Sequence, residues 1–502
     1  MRQAADIEIA LTPRPDGVTL QRWLYDEIHT AILSGRLTPG SRLPATRDLA
    51  LRLKISRGTV LAVYDQLGAE GYLRGTTGKG SFVAPELPDL PPRPLAPGGG
   101  AAEPMNRNAT GITYEAPAVV LPARGKKLSM TPFSVAGRSF PAKAFRTNQP
   151  DVTAFPLELW TRIASSRSRR LRPELLMDGD ARGYKPLREA IAGYLRSSRG
   201  ITCSAEQVVL VGSVQRILDI SARLLLDPGG EVWVEDPGYP GAHLIFAAAG
   251  AKIVDIPVDS NGMDVVFARN QAPNARLAYV TAGRQSPMGS VLALDRRLAL
   301  LHWARRHDAI VIEDDYDSEY RYEGAPLSAM KSLDEAGQVI YCGTFSKLLF
   351  PSLRISYAVL PDQLIAPFTA ALSLTSRHVA LMAQTTLHEF IAEGHFGRHV
   401  RRMRLLYAER AQALRQAADV YLAGLLEIPE ITMGLDTPAF LPGDRDDKSV
   451  AHLAAQAGIE SLPLSIYART RPVKPGLLLG FAAVGPEAIA SGVRTLARVL
   501  DA

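Results

Sequence analysis

Two short apolar runs in the middle of the chain each end abruptly in residues that could do chemistry. Residues 309–312 read AIVI and are followed by EDDY at 313–316; residues 339–341 read VIY and are soon followed by GTFSK at 343–347. Runs of this length, rich in β-branched residues, predict buried strands. Because ligands of open parallel sheets bind at the carboxyl ends of strands, we expect a carboxylate, a phenol and a lysine to meet there.

These residue types suit pyridoxal 5′-phosphate (PLP). Its chemistry requires a lysine amine that holds the aldehyde as a Schiff base, and an acid that partners the pyridinium nitrogen. We predict Lys347 as the Schiff-base lysine and Asp314 as the acid partner. Taken singly, the same two residues could be a surface lysine and a helix-capping aspartate, so the prediction depends on their combination.

The residues around these two extend the pattern. Residues 313–319 read EDDYDSE and residues 343–354 read GTFSKLLFPSLR. This stretch resembles the fold-type I aminotransferases and is similar, more narrowly, to the MocR-type transcriptional regulators. The resemblance implies an α/β effector domain at 141–502, with a parallel or mixed sheet, flanking helices and a smaller C-terminal α+β domain at about 370–502.

A phosphate site is predicted at the strand–helix junction that begins at Gly212. Residues 208–211 form an apolar run, and GSVQ at 212–215 opens a helix. Free backbone N–H groups at a helix start attract phosphate, although an ordinary N-cap serine would give the same pattern. The resemblance implies the remaining PLP contacts: Ser213, Gln215, Ser346 and Arg354 at the phosphate, Tyr239 stacked on the ring, and Tyr316 at the phenolic oxygen.

The chain departs from the family pattern in residues 284–289, which read RQSPMG. Regulators of this type usually read HQxPTG, and enzymes of the fold usually carry an asparagine before the proline. Arg284 therefore replaces a histidine, Ser286 stands where the asparagine would be, and Met288 replaces a threonine. These changes affect the tuning of the cofactor rather than the fold.

A second departure lies near the C-terminus, where residues 476–481 read GLLLGF. Transaminating relatives commonly place an arginine in this strand to clamp a substrate carboxylate. Leu478 occupies that place, which argues against an ordinary α-amino-acid transaminase. Arg469 and Arg471 are close enough in sequence to be considered as substitutes.

The first part of the chain, residues 15–84, reads as a helical DNA-binding domain. Helical periodicity follows residue 20, a short helix is expected at about 46–53, and a second at about 57–70 with Ser56 as its N-cap. Two strands then flank a glycine-rich wing at 75–80. Between residues 36 and 80 the chain carries eight Lys and Arg against three acids, a large share of its net charge of +6.

This segment resembles a GntR-type winged helix over its whole length, through GRLTPGSRLPATRDLA, SRGTVLAVYDQL and the wing GKGSFV. In such domains the N-terminus of the second helix reaches base edges and nearby cations hold phosphates. The predicted DNA contacts are Arg47, Arg57, Thr59 and Lys79. A solvated basic surface is the alternative.

The remaining features fit a chain of several domains. Residues 85–140 are rich in Pro and Gly and predict a linker. We expect no membrane span, signal peptide or metal site, and two reduced cysteines, Cys203 and Cys342, in a cytoplasmic protein that joins the nucleoid when it binds DNA.

Two functions remain open on the sequence. The first is a homodimeric, PLP-dependent transcriptional regulator that binds paired DNA half-sites and senses a small amino compound or PLP itself. The second is an active PLP-dependent aminotransferase with an appended DNA-binding domain. The resemblance covers nearly the whole chain in the right domain order and favours the regulator.

Overall fold

The computed structural model describes residues 12–76, 80–88, 120–130, 139–170, 173–324 and 327–501. The chain divides into two compact units, residues 1–116 and 117–502. No helix within the described ranges is long and apolar enough to cross a membrane. The division falls inside the predicted linker, most of which lies outside the described residues.

The first unit has the three helices and two-stranded ribbon of a winged helix. Its elements are α1 (Leu20–Leu33), α2 (Thr46–Leu53), α3 (Arg57–Ala69), β1 (Leu73–Thr76) and β2 (Gly80–Val83). Leu24, Ile28, Val60 and Leu67 are buried in the shared core. The strands are antiparallel, with Leu73 opposite Val83. The predicted helices at 46–53 and 57–70 are therefore confirmed to within one residue.

The second unit is built on an eight-stranded mixed sheet. Its strands are β3 (Val208–Val211), β4 (Glu231–Asp236), β5 (Lys252–Asp259), β6 (Gly262–Met263), β7 (Leu277–Val280), β8 (Ile310–Asp315), β9 (Val339–Thr344) and β10 (Ser356–Val359). They lie in the order β3-β10-β9-β8-β7-β4-β5-β6. Strands β5, β4, β7, β8 and β9 are mutually parallel, whereas β10 is antiparallel to both of its neighbours.

A smaller antiparallel sheet follows in the C-terminal part. It consists of β11 (Asp436–Phe440), β12 (Leu462–Pro463) and β13 (Gly476–Gly480), with β13 in the centre. The segment at Phe145 bridges to Gly480, so the start of this unit joins its last strand. We refer to β11, β12 and β13 as the C-terminal sheet.

Helices cover the two sheets. They are α4 (Ala123–Ser129), α5 (Leu157–Arg169), α6 (Lys185–Arg199), α7 (Val214–Leu225), α8 (Pro240–Ala249), α9 (Val265–Gln271), α10 (Leu294–Arg306), α11 (Asp362–Thr375), α12 (Leu381–Ala392), α13 (His395–Tyr421), α14 (Asp447–Gln456) and α15 (Pro486–Asp501). Two of them bear on the predicted boundaries. Helix α4 lies within the predicted linker, and α11, which spans residue 370, packs on the eight-stranded sheet through Phe368 and Leu372.

The cores agree with the strand patterns. All residues of β3, β7, β8, β9 and β10 are buried, as expected for strands covered on both faces. Cys203 and Cys342 are both buried and free, which confirms the prediction of reduced core thiols. Burial also raises the pKa of both thiols, so neither is poised as a thiolate.

Candidate cofactor site and DNA-binding surface

The sheet topology brings the predicted site residues together at one edge of the sheet, where the parallel strands β8 and β9 have their carboxyl ends. Ser356, the first residue of β10, lies opposite both Val211 at the end of β3 and Thr344 at the end of β9. The loops that follow β3 and β9 and the residue before β10 therefore meet at this edge. Asp314 lies opposite Cys342 on β9 and belongs to the same edge.

Asp314 has one satisfied and one open carboxylate oxygen. Its Oδ2 accepts a 2.7 Å hydrogen bond from the hydroxyl of Tyr279, whereas its buried Oδ1 has no partner among the described residues. The pKa of Asp314 is raised to about 6, chiefly because the carboxylate is buried, although the hydrogen bond from Tyr279 lowers it. A buried oxygen left open in this way calls for a donor from a ligand, and a pyridinium N–H would supply one.

The carboxylates after Asp314 are neutralised by a buried arginine at the end of α6. Arg199 forms ion pairs of 2.9 Å with both Asp315 and Glu319. Tyr341 donates to Asp315 at 2.7 Å, and Tyr194 donates to Glu319 at 2.9 Å. All of these contacts stay within the eight-stranded sheet and its helices, so they hold the end of β8 rigidly under the site.

Lys347 lies beside the segment at Asn148, which precedes α5. Its Nζ donates to the Asn148 carbonyl at 2.5 Å, and the Asn148 N–H donates to Asp436 on β11 at 3.0 Å. The next peptide is also held, because the Leu348 carbonyl accepts a 3.1 Å hydrogen bond from the Tyr320 hydroxyl. Asn148 and Asp436 are not among the predicted site residues, because nothing in the sequence links either of them to Lys347.

The predicted phosphate contacts lie around the start of α7. Ser213 is the N-cap residue of that helix, but its hydroxyl makes no capping hydrogen bond. Gln215 donates to the Tyr239 hydroxyl at 2.7 Å. Burial raises the pKa of Tyr239, and the charge of Arg354 lowers it. Arg354 itself makes no ion pair or hydrogen bond with another residue of the described ranges.

The three residues that depart from the family pattern, Arg284, Ser286 and Met288, each make different contacts. Arg284 is buried and ion-paired to Asp317 and Asp436. The Ser286 backbone N–H donates to Thr281. The Met288 N–H donates to the Gln285 side chain at 3.0 Å, so the loop is held by its own hydrogen bonds.

Arg469 and Arg471, the two candidate substitutes for the arginine that clamps a substrate carboxylate, make other contacts. Arg469 is ion-paired to Asp255 at 3.0 Å, and Arg471 lies over the ring of Phe267 at 4.6 Å. Leu478 packs in an apolar cluster that includes Tyr467. Both guanidinium groups therefore contact β5 or α9, and a role for either in place of the missing arginine stays a prediction.

In the first unit, the predicted DNA contacts lie at the start of α3 and on α2. Arg57 is the first residue of α3 and is exposed, as is Arg47 on α2. Thr59 is half-buried, and its N–H donates to the Ser56 hydroxyl at 3.1 Å, which caps the helix. Lys79 lies outside the described residues.

Comparison with known proteins agrees with both units. The model of the aminotransferase class I and II family matches residues 150–428, and that of the bacterial regulatory proteins of the gntR family matches residues 20–83. The chain is 39% identical to the probable rhizopine catabolism regulatory protein MocR of Rhizobium meliloti, over 96% of this chain and 94% of that protein. The chain belongs to the MocR-type regulators of the GntR family.

The chain is also similar both to other regulators and to enzymes. It is 30% identical to the pyridoxine biosynthesis transcriptional regulator PdxR of Corynebacterium glutamicum, over 95% of each chain. Among solved structures, the kynurenine aminotransferase of Pyrococcus horikoshii, in complex with PMP, is similar with a TM-score of 0.66 and 27% identity, covering 72% of this chain and 91% of that one. This MocR-type chain thus has a fold-type I aminotransferase fold, and its cofactor is PLP.

The residues present fit that cofactor. Asp314 offers an unsatisfied buried acceptor, Ser213 a hydroxyl that makes no capping hydrogen bond, and Arg354 an unpaired cation within the described part of the chain. These are the three kinds of group that a pyridinium nitrogen and a phosphate require. Lys347 supplies the amine at the same edge.

Replacing Asp314 tests this fit. Asp314→Asn keeps the hydrogen bond from Tyr279 but removes the charge, so we expect PLP to bind about tenfold more weakly or worse. PLP retained after dialysis measures the effect. Asp264→Asn is the control, because Asp264 caps α9 and asparagine caps a helix equally well. Equal PLP retention in both variants would contradict the role of Asp314.

Proposed function

We propose that this MocR-type regulator senses a small amino compound, or PLP itself, at Lys347 and answers by changing its affinity for DNA. The observation that carries the proposal is the open oxygen of buried Asp314 at the same sheet edge as the Lys347 amine. The two groups are those that PLP needs, and they lie in a chain that also has a winged helix.

Each predicted residue has a role in this proposal. When bound, PLP supplies an aldehyde that reacts with primary amines. Lys347 anchors it covalently and Asp314 accepts the hydrogen bond of the ring nitrogen. The other roles remain as predicted: Ser213, Gln215, Ser346 and Arg354 hold the phosphate, Tyr239 packs on the ring, and Tyr316 donates to the phenolic oxygen.

The contacts of Lys347 suggest how occupancy is transmitted. Its Nζ donates to Asn148, whose own N–H donates to Asp436 in the C-terminal sheet. When Lys347 gives up that hydrogen bond, the segment at Asn148 loses a partner and the contact with β11 changes. Ligand binding in one unit then alters DNA affinity in the other by an equal and reciprocal coupling free energy.

The proposal includes a homodimer that binds paired half-sites in the cytoplasm. Large apolar side chains on the second unit support self-association, since a monomer would leave them in water. Met177 is 70% exposed and Leu374 is 87% exposed. A twofold dimer presents two winged helices, which matches a paired operator.

An active aminotransferase is the second candidate, favoured by the presence of Lys347 together with Asp314. Against it, Leu478 lies in an apolar cluster and Arg469 and Arg471 are engaged elsewhere. We expect no more than one equivalent of keto acid per chain from a panel of α-amino acids. Sustained keto-acid production over many turnovers would instead identify an enzyme.

We expect Arg57 to be needed for DNA binding but not for PLP binding. Arg57→Ala removes an exposed cation at the start of α3, so specific DNA affinity should fall by tenfold or more while PLP content stays unchanged. Arg22→Ala is the control, since Arg22 is a similarly exposed cation already paired to Asp26. Loss of both DNA and PLP binding in Arg57→Ala would contradict separate roles for the two units.

The sensor is tested by the visible absorption band that PLP acquires when it is covalently bound to a lysine. We expect the band in the wild-type protein and its absence from Lys347→Ala after dialysis. A panel of small amines is then added, and the one that shifts the band should also change DNA affinity. A wild-type protein that shows no band with added PLP would refute the proposal.

A further inference from the structure

Arg284 holds a position that the functions proposed so far do not use. Its side chain is buried, with 3% exposed. Nη1 donates to the Tyr316 hydroxyl at 2.9 Å and to Asp317 at 3.2 Å. Nη2 donates to the carbonyl of Asp436 and, at 3.1 Å, to its carboxylate. One guanidinium therefore joins the phenol after β8 to the first residue of β11.

The chemistry of arginine determines the direction of the Tyr316 hydrogen bond. A guanidinium only donates, so the Tyr316 oxygen must accept from Arg284 and its own proton is left to be donated elsewhere. No other described residue accepts that proton. A neutral histidine or a glutamine at position 284 could instead accept it. Arg284 thus keeps Tyr316 a donor.

The surroundings leave space for this guanidinium. Gly434 has φ +91°, and a Cβ added there would lie 2.3 Å from Arg284 Nε. The carbonyl of Gly434 also accepts a hydrogen bond from the Tyr322 hydroxyl. A larger residue at 434 would be strained by its backbone and would collide with Arg284, so the loop before β11 is shaped around the arginine.

The same contact reaches the lysine. Asp436 accepts both from Arg284 and from the Asn148 N–H, and Asn148 in turn accepts from Lys347. The charged groups that face Tyr316 are Arg284, Asp317 and Asp436, and among them burial raises the pKa of Asp317 to about 7. Tyr316 and Lys347 are therefore joined to the same carboxylate by two independent routes.

We propose that Arg284 is a positioning residue that keeps Tyr316 as a hydrogen-bond donor to the phenolic oxygen of PLP and ties it to β11 through Asp436. This proposal rests on the function proposed above, with PLP at Lys347. It gives the arginine at position 284 a role at the phenol, and it gives the C-terminal sheet a direct contact with the cofactor site.

The first test needs no cofactor. In Arg284→Gln, hydrogen exchange at residues 145–149 and 434–440 should speed up by about tenfold or more, because an ion pair to β11 is lost. Arg297→Gln is the matched control: Arg297 is also buried, but among the described residues its hydrogen bonds go to the backbone carbonyls of Leu292, Ser328 and Ala282 and to no carboxylate. If the two variants exchange at the same rate at these residues, the proposed link from Arg284 to β11 is refuted.

The second test uses the PLP-loaded protein and the pH midpoint of its visible band. Arg284→Gln should move the midpoint to higher pH, because the loss of a nearby cation and of a donor favours the protonated chromophore. Arg284→Lys should move it less, since the charge remains. Arg297→Gln should leave it unchanged.

A double variant decides whether Arg284 acts through Tyr316. In the Tyr316→Phe background, Arg284→Gln should move the midpoint clearly less than it does in the wild type, since the hydroxyl it positions is gone and only the loss of the cation remains. Full additivity would overturn the positioning role. A wild-type protein without a visible band, combined with faster exchange in Arg284→Gln, would refute PLP at Lys347 while leaving the tie to β11 intact.

Discussion

Buried carboxylates at the end of β8 are the constraint on which the rest of the second unit depends. Between residues 313 and 319 five carboxylates lie buried, each with at most 7% exposed. Leaving one such charge without a partner costs about 3 to 5 kcal/mol. The structure meets this demand with backbone N–H groups at Glu313 and with two arginines, Arg199 and Arg284.

The two arginines bind different carboxylates of residues 313–319. Arg199 comes from α6 and holds Asp315 and Glu319 within the large sheet, so the end of β8 is a rigid base. Arg284 pairs instead with Asp317 and with Asp436 in the C-terminal sheet. Asp314 is paired with neither arginine in the described part of the chain and keeps one oxygen open. One arginine thus supports the end of β8 within the large sheet, and the other links it to the C-terminal sheet.

Much of this arrangement was predictable because it depends on local patterns. Apolar runs followed at once by polar residues predicted β8 and β9, and the rule for carboxyl ends of strands placed Asp314 and Lys347 at one edge. Helical periodicity and Ser56 predicted α3. The role of Ser213 could not be decided in the same way, since a capping and a non-capping serine have the same sequence pattern.

The sequence by itself determined the two units, the cofactor and the family, because these depend on spacings within short stretches. Only the tertiary structure decided which distant groups meet. Asn148 and Asp436 are 288 residues apart, yet they share a hydrogen bond at the site. Arg469, near in sequence to the missing clamp, is ion-paired to Asp255 instead. Such contacts depend on how sheets and loops pack, and no periodicity along the chain encodes the partner of a buried charge.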